Sequence, residues 1–183
     1  MDAADAAGGP VVVDATTLPP RPWHNGAGTT RQVWTAPGWR LSIADLTTPG
    51  PFSDLPGVDR VHVPLGGAYT LAVDGRPVAA RALEPIAFPG EAAVSLDDLP
   101  APTRALNLMV WRDHGRGEVR VTRHDGAVTW PSAVRAVVLV AGGASLPGAT
   151  DPLPAPTAVV AGEAPLTLDL HDATVAEIHL RIH

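Results

Sequence analysis

The sequence predicts an all-β protein, and three observations carry that expectation. Twenty prolines and 18 glycines among 183 residues would interrupt helices almost throughout. Short runs rich in Val, Leu, Ile and Thr recur between turn signals, which is the spacing of a sandwich or barrel. No segment sustains a helical period.

The strands are expected, in order, over residues 11–14, 31–35, 39–47, 60–65, 69–73, 82–88, 93–96, 104–112, 118–122, 134–141, 165–170 and 174–182. Each is rich in Val, Leu, Ile or Thr, and Gly, Pro, Asp or Asn punctuates the stretches between many of them. The turns have their own chemistry. Asp74-Gly75 and Asp125-Gly126 suit hairpins, because the pair tolerates the left-handed conformation that a tight reversal demands, and Phe88-Pro89-Gly90 marks a sharp corner.

A weak internal repeat runs through this pattern. Gly90-Glu91-Ala92 recurs as Gly162-Glu163-Ala164, Ser95-Leu96-Asp97 as Thr167-Leu168-Asp169, and Leu106-Asn107-Leu108 as Ile178-His179-Leu180. Val61 to Ala68 also resembles Val137 to Ala144. Self-similarity over one β unit indicates two related barrels fused in one chain. The lobes are expected at 11–125 and 126–183, with strands free to exchange between them, after a disordered leader over 1–10.

Composition narrows the function. The chain has no cysteine, so it can build neither a disulfide nor a thiolate site. All 13 basic residues are Arg, which removes lysine Schiff-base chemistry and the P-loop lysine. A net charge of −6 without any basic run argues against a nucleic-acid partner. No apolar run reaches the length of a membrane span, and the first residues lack a signal-peptide pattern, so the expectation is no membrane contact and a cytoplasmic location.

The segment Pro22 to Arg31, PWHNGAGTTR, is the best candidate for a binding loop. Its glycines allow unusual backbone and close approach, while Asn25, Thr29, Thr30 and Arg31 bring donors. Residues 22–112 also hold four of the five tryptophans, both phenylalanines and the single tyrosine, which places a ligand in the first lobe.

Four stretches together identify a resemblance: PWHNGAGTTRQVW from Pro22, WRLSIADLTTPGPFSDLPGVDR from Trp39, AFPGEAAVS from Ala87 and ALNLMVWR from Ala105. In these the chain resembles the HutD/Ves family, associated with bacterial histidine utilisation. The resemblance covers Pro22 to Arg112. It implies a bicupin, two fused double-stranded β-helix (jelly-roll) barrels, and a small-molecule pocket for a carboxylate such as a formyl or formimino derivative of glutamate, acting in control of histidine catabolism. The loop departs from the family's usual PWKNGGGTTRE at His24, Ala27 and Gln32. Typical cupins hold a metal with two His, a Glu and a later His. Here only His62 remains of that set, too few for a transition ion, so neither metal nor cofactor is expected.

The expected ligand-binding residues are Trp23, Asn25, Gly28, Thr30, Arg31, Arg40, Ser42, Phe52, Arg60 and Asn107. Alternation on 39–45 puts Arg40, Ser42 and Ala44 on one face, which meets water in a half-buried sheet and lines the lumen in a ligand-holding barrel. Inside, Arg40 offers a planar fork to a carboxylate. Asn107 suits an amide or formyl group, or else a structural hydrogen bond. Phe52, Ser53, Asp59 and Arg60 form the rim, unless Asp59-Arg60 is a structural pair that fixes the loop. Trp23 either stacks on a ligand or fills core. Three functional classes follow: a binding protein without a catalytic residue, a metal-free cupin isomerase or hydrolase with Asp45, Asp59 or His62 as base, and a docking module in a homodimer.

Overall fold

A computed structural model describes residues 8–183. Of the expected leader, residues 1–7 lie outside the described residues, and 8–10 are an exposed segment ahead of the first strand. Among the described residues there are fifteen strands and no helix. In chain order, β1 (Val11–Asp14) is followed by β2 (Arg21–Pro22), β3 (Gly28–Ala36), β4 (Trp39–Leu46), β5 (Gly50–Pro51) and β6 (Val58–Pro64). Then come β7 (Tyr69–Val73), β8 (Arg76–Ala80), β9 (Ile86–Pro89), β10 (Val94–Asp98) and β11 (Thr103–Trp111). The chain ends with β12 (Gly115–Trp130), β13 (Val134–Ser145), β14 (Thr157–Val160) and β15 (Leu166–Ile182). Every strand pair whose register is defined is antiparallel.

The chain divides into two units. One comprises Pro19–Gly117 and Ile182–His183. It is built from a six-stranded sheet in the order β2-β3-β4-β11-β6-β9 and a four-stranded sheet in the order β5-β10-β7-β8. Their shared core takes Ala44 and Leu46 from β4, Ala105 from β11 and Phe88 from β9, and meets Leu71 of β7 and Leu96 of β10. A fully buried side chain of this size stabilises the fold by about 1.5–3 kcal/mol. Leu41 and Ile43, on the opposite face of β4, are buried as well. The polar residues Arg40 and Ser42 therefore share the inward face with Ala44 and Leu46, Ser42 buried and Arg40 half-buried.

The other unit comprises residues 8–18 and Glu118–Arg181. Its single sheet runs β1-β14-β13-β15-β12 over a core that includes Trp130, Val137, Leu139, Leu168, Leu170 and Val175. The position expected for a lobe boundary, at residue 125, lies inside β12, and β1 pairs with β14 from Val11↔Val160 to Asp14↔Thr157.

Two turn expectations diverge. Asp74 and Gly75 take φ of 49° and 73° and join β7 to β8 with Val73 opposite Arg76, a tight hairpin of the primed type. Asp125-Gly126 does not reverse the chain. Gly126, at φ 89°, stays within β12, which borders β15 at the edge of its sheet, so the left-handed glycine bends a continuous strand. The expected strand over 82–88 starts only at Ile86, because Leu83 is left-handed at φ 67° and its amide donates to Pro64 O.

Candidate functional site

Period-two alternation across the six-stranded sheet arranges its inward side chains in rows. Gln32, Ser42, Asn107 and His62 are successive cross-strand partners on β3, β4, β11 and β6. The neighbouring row runs Arg40, Met109, Arg60 and Phe88 on β4, β11, β6 and β9. A cavity of about 510 Å³ lies over these rows. Gln32, Arg40, Ser42, Arg60, Asn107 and Met109 form its floor, and Trp23, Asn25, Thr30, Phe52, Ser53 and Leu55 contribute to the walls. Its size suits a small organic ligand.

The charge of this cavity is one-sided. Arg21, Arg40 and Arg60 line it together with His24, and among the described residues no Asp or Glu does. Arg60 is only 6% exposed. Its guanidinium carbon lies 5.2 Å from the centre of the Phe52 ring and 5.1 Å from that of Phe88, so two aromatic faces hold the cation. One nitrogen, Nη1, donates to Ser53 O at 3.2 Å, and Nε has no partner among the described residues. Burial, and secondarily the charge of Arg40, pull the Arg60 pKa down to about 10. Arg40 is lowered by burial too; its Nη2 faces the Met109 sulfur and its Nε is also unpaired. Two desolvated guanidinium groups thus sit together without a counter-charge.

Behind the floor lies a buried polar chain. His62 is wholly buried, with Nδ1 2.8 Å from Asn107 Oδ1 and Nε2 against the Tyr69 hydroxyl. Burial is the main force on the ring and, with a smaller contribution from Arg60, lowers its pKa to about 4 against the raising effect of Asn107. The imidazole is neutral. Burial also pushes the Tyr69 phenol up, so the hydroxyl keeps its proton.

Of the ten expected residues, the cavity brings together Trp23, Asn25, Thr30, Arg40, Ser42, Phe52, Arg60 and Asn107. Trp23 both packs and lines: its Nε1 donates to Thr30 Oγ1 at 2.7 Å, and its ring meets Phe52 edge-on at 5.9 Å. Asn25 is at the rim, but its oxygen accepts from Ala27 N at 3.0 Å and its Nδ2 donates to Pro51 O at 3.0 Å.

Gly28 and Arg31 are not in the lining. A Cβ on Gly28 would stand 2.3 Å from Asp45 O, so this glycine permits approach of the protein's own backbone, where a ligand was expected. Within the loop, Gly26 N donates to Trp23 O, Trp23 N to Gly28 O and Ala27 N to Asn25 Oδ1, each at 3.0 Å. Arg31 follows the inward Thr30 and points away, forming an ion pair with Asp45, which also accepts from Thr29 Oγ1 at 2.9 Å.

The Asp59-Arg60 pair expected from their adjacency does not form. Neighbours on a strand face opposite ways: Arg60 enters the cavity, while Asp59 accepts from Arg112 Nε at 2.7 Å. None of the three expected bases, Asp45, Asp59 and His62, lines the cavity. Sequence reasoning did not single out Arg21, Leu55 or Tyr69. The first precedes the recognised motif by one residue, and Tyr69, the chain's single tyrosine, acts through a partner seven residues away.

The second unit treats a buried charge in the opposite way. Glu177 accepts from Trp130 Nε1 and Thr122 Oγ1, both at 2.9 Å, and lies within 3.2 Å of His124 Nε2 and 3.1 Å of His179 Nε2. Burial pushes its carboxyl up, but those four hydrogen bonds more than reverse the effect and hold it low. A buried ion with all its partners in place is a structural element. Among the described residues, no group of three or more His, Asp or Glu side chains is placed to hold a metal ion.

The HutD family model matches residues 15–178. The chain is 38% identical over 141 residues to Protein Ves of Cronobacter sakazakii, covering 72% of this chain and 76% of that protein. It is 36% identical over 138 residues to an uncharacterized 21.2 kDa protein in the hutC 3′ region of Pseudomonas putida, covering 69% and 70% respectively. The structure of HutD from Pseudomonas fluorescens SBW25 (formate condition) superimposes with a TM-score of 0.77 at 27% identity over 95% of this chain and 99% of that one.

Proposed function

The chain belongs to the HutD family, and from that premise we propose that it is a cytoplasmic binding protein for a small carboxylate, linked to control of histidine utilisation. The hut association of the Pseudomonas relatives supports the pathway. The carrying observation is the pair Arg40 and Arg60, buried wholly or in part, in a cavity lined by three arginines and, among the described residues, by no acidic side chain. A buried cation without a partner is costly, and a bound carboxylate supplies the missing charge-assisted hydrogen bonds. Ser42, Gln32 and Asn107 read the remaining polar groups, which fits a formyl- or formimino-glutamate-like molecule.

In this reading the two units are the lobes of a bicupin. The repeated segments support it: Val61 and Leu106-Asn107-Leu108 lie on the paired strands β6 and β11, and their counterparts Val137 and Ile178-His179-Leu180 lie on the paired strands β13 and β15. The first lobe binds.

Calorimetry with histidine, urocanate, N-formyl-L-glutamate and N-formimino-L-glutamate tests the proposal. At least one carboxylate is expected to bind at a single site, with a loss of about tenfold or more in Arg40→Ala and in Arg60→Ala, and no loss in Arg31→Ala. If none of the four binds, or the cavity variants bind as tightly as wild type, the proposal fails.

A further inference from the structure

The polar chain behind the floor has a direction, and that direction reaches the cavity. The Asn107 amide oxygen lies 2.8 Å from His62 Nδ1, and since that oxygen can only accept, Nδ1 carries the hydrogen of the neutral ring. A neutral imidazole with its hydrogen on Nδ1 has a bare Nε2, which accepts from the Tyr69 hydroxyl. The amide oxygen is thereby used up behind the wall. Asn107 Nδ2 has no partner among the described residues, and Asn107 lines the cavity beside its cross-strand partner Ser42.

We propose that Tyr69 and His62 are positioning residues that lock the Asn107 carboxamide with its NH2 group toward the cavity, so that the site selects an anion carrying a neutral hydrogen-bond acceptor over an equally sized anion carrying a donor. The proposal rests on the carboxylate reading of the same cavity. Without the phenol, the imidazole is free to place its hydrogen on Nε2 and to accept at Nδ1, which turns the amide over and brings its oxygen into the cavity. Selectivity, not anion binding, is what the relay controls.

The test has two arms. Long-range 1H–15N spectra of the imidazole in the ligand-free protein read the tautomer directly. The Nδ1–H form of His62 is expected, and the Nε2–H form overturns the proposal. In the second arm, Tyr69→Phe is titrated with N-formyl-L-glutamate, whose carbonyl accepts, with N-formimino-L-glutamate, whose amidinium donates, and with glutarate, which has neither. The formyl-over-formimino preference is expected to fall by about tenfold, the scale of one hydrogen bond made or misdirected, while the glutarate affinity stays unchanged. An unchanged preference, or equal losses for all three ligands, overturns the relay. If wild type binds none of the three, the carboxylate reading fails, and the tautomer measurement still decides the orientation of Asn107.

Discussion

Arg60 is a cation placed where burial works against it. It is buried between Phe52 and Phe88 beside a second arginine, and its Nε has no partner. Replacing a buried, unbalanced ion with an apolar side chain of similar length removes the desolvation cost. Arg60→Met is therefore expected to raise the melting temperature of the ligand-free protein by about 2–4 °C, corresponding to about 1 kcal/mol, while abolishing the stabilisation that an added carboxylate gives the wild type. Differential scanning calorimetry with and without ligand checks both halves. His62 gives a pH prediction. Its folded pKa of about 4 lies below the value of 6.5 for an unperturbed imidazole, so the unfolded chain binds the extra proton. The stability this residue confers is complete above pH 6.5 and is lost as pH falls toward 4, by about 3 kcal/mol in total. Urea midpoints across that window are expected to fall in wild type and to flatten in His62→Gln. Arg40, Ser42 and Asn107 were legible in the sequence because they recur at every second position of apolar strands. The outward turn of Arg31 was not, since its partner Asp45 is set by the β3–β4 register and no local pattern announces it.

At the scale of elements, turns decide whether the floor is complete. Gly90 closes the corner after β9, donating its amide to Val58 O at 2.6 Å and accepting from Leu55 N at 2.9 Å. A Cβ there would stand 2.2 Å from Leu55 O and 2.8 Å from Val58 O, so Gly90→Ala must displace the segment that carries Ser53 and Leu55 into the cavity wall. It is expected to cost about 1–3 kcal/mol in urea unfolding and to weaken ligand binding as well. Gly75 has open space around its Cα and is constrained only by φ. Gly75→Ala is expected to cost about 1 kcal/mol and to leave affinity unchanged, which separates a remote hairpin from a site-forming corner. Most strands were legible from their β-branched runs, and so was the Asp74-Gly75 hairpin. β8 was hidden by Arg76-Pro77 at its start, and β14 by the Pro-rich approach at 152–156, because proline signals a break even where the following residues find an edge to pair with. Asp125-Gly126 misled for the complementary reason. The same dipeptide serves as a reversal or as a bend, and tertiary pairing chooses between them.

For the molecule as a whole, a chain of net charge −6 has in one unit an arginine-lined cavity with no acidic side chain among the described residues, and surrounds the buried carboxylate of the other with hydrogen-bond donors. The contrast separates a site from a structural ion pair. The all-β class and the family were both legible from sequence, the first through breaker residues and short apolar runs, the second through motifs spread over residues 22–112. The cavity as an object was not, because its floor assembles from β3, β4, β6 and β11, whose neighbours in space are up to 69 residues apart in sequence. In the proposed function Arg40 and Arg60 together receive one anion. A crystal structure of the protein grown with excess N-formyl-L-glutamate tests it most directly. Density for a carboxylate bridging the two guanidinium groups is the predicted result; a fully occupied ligand bound elsewhere, or a metal ion held between those side chains, would contradict it.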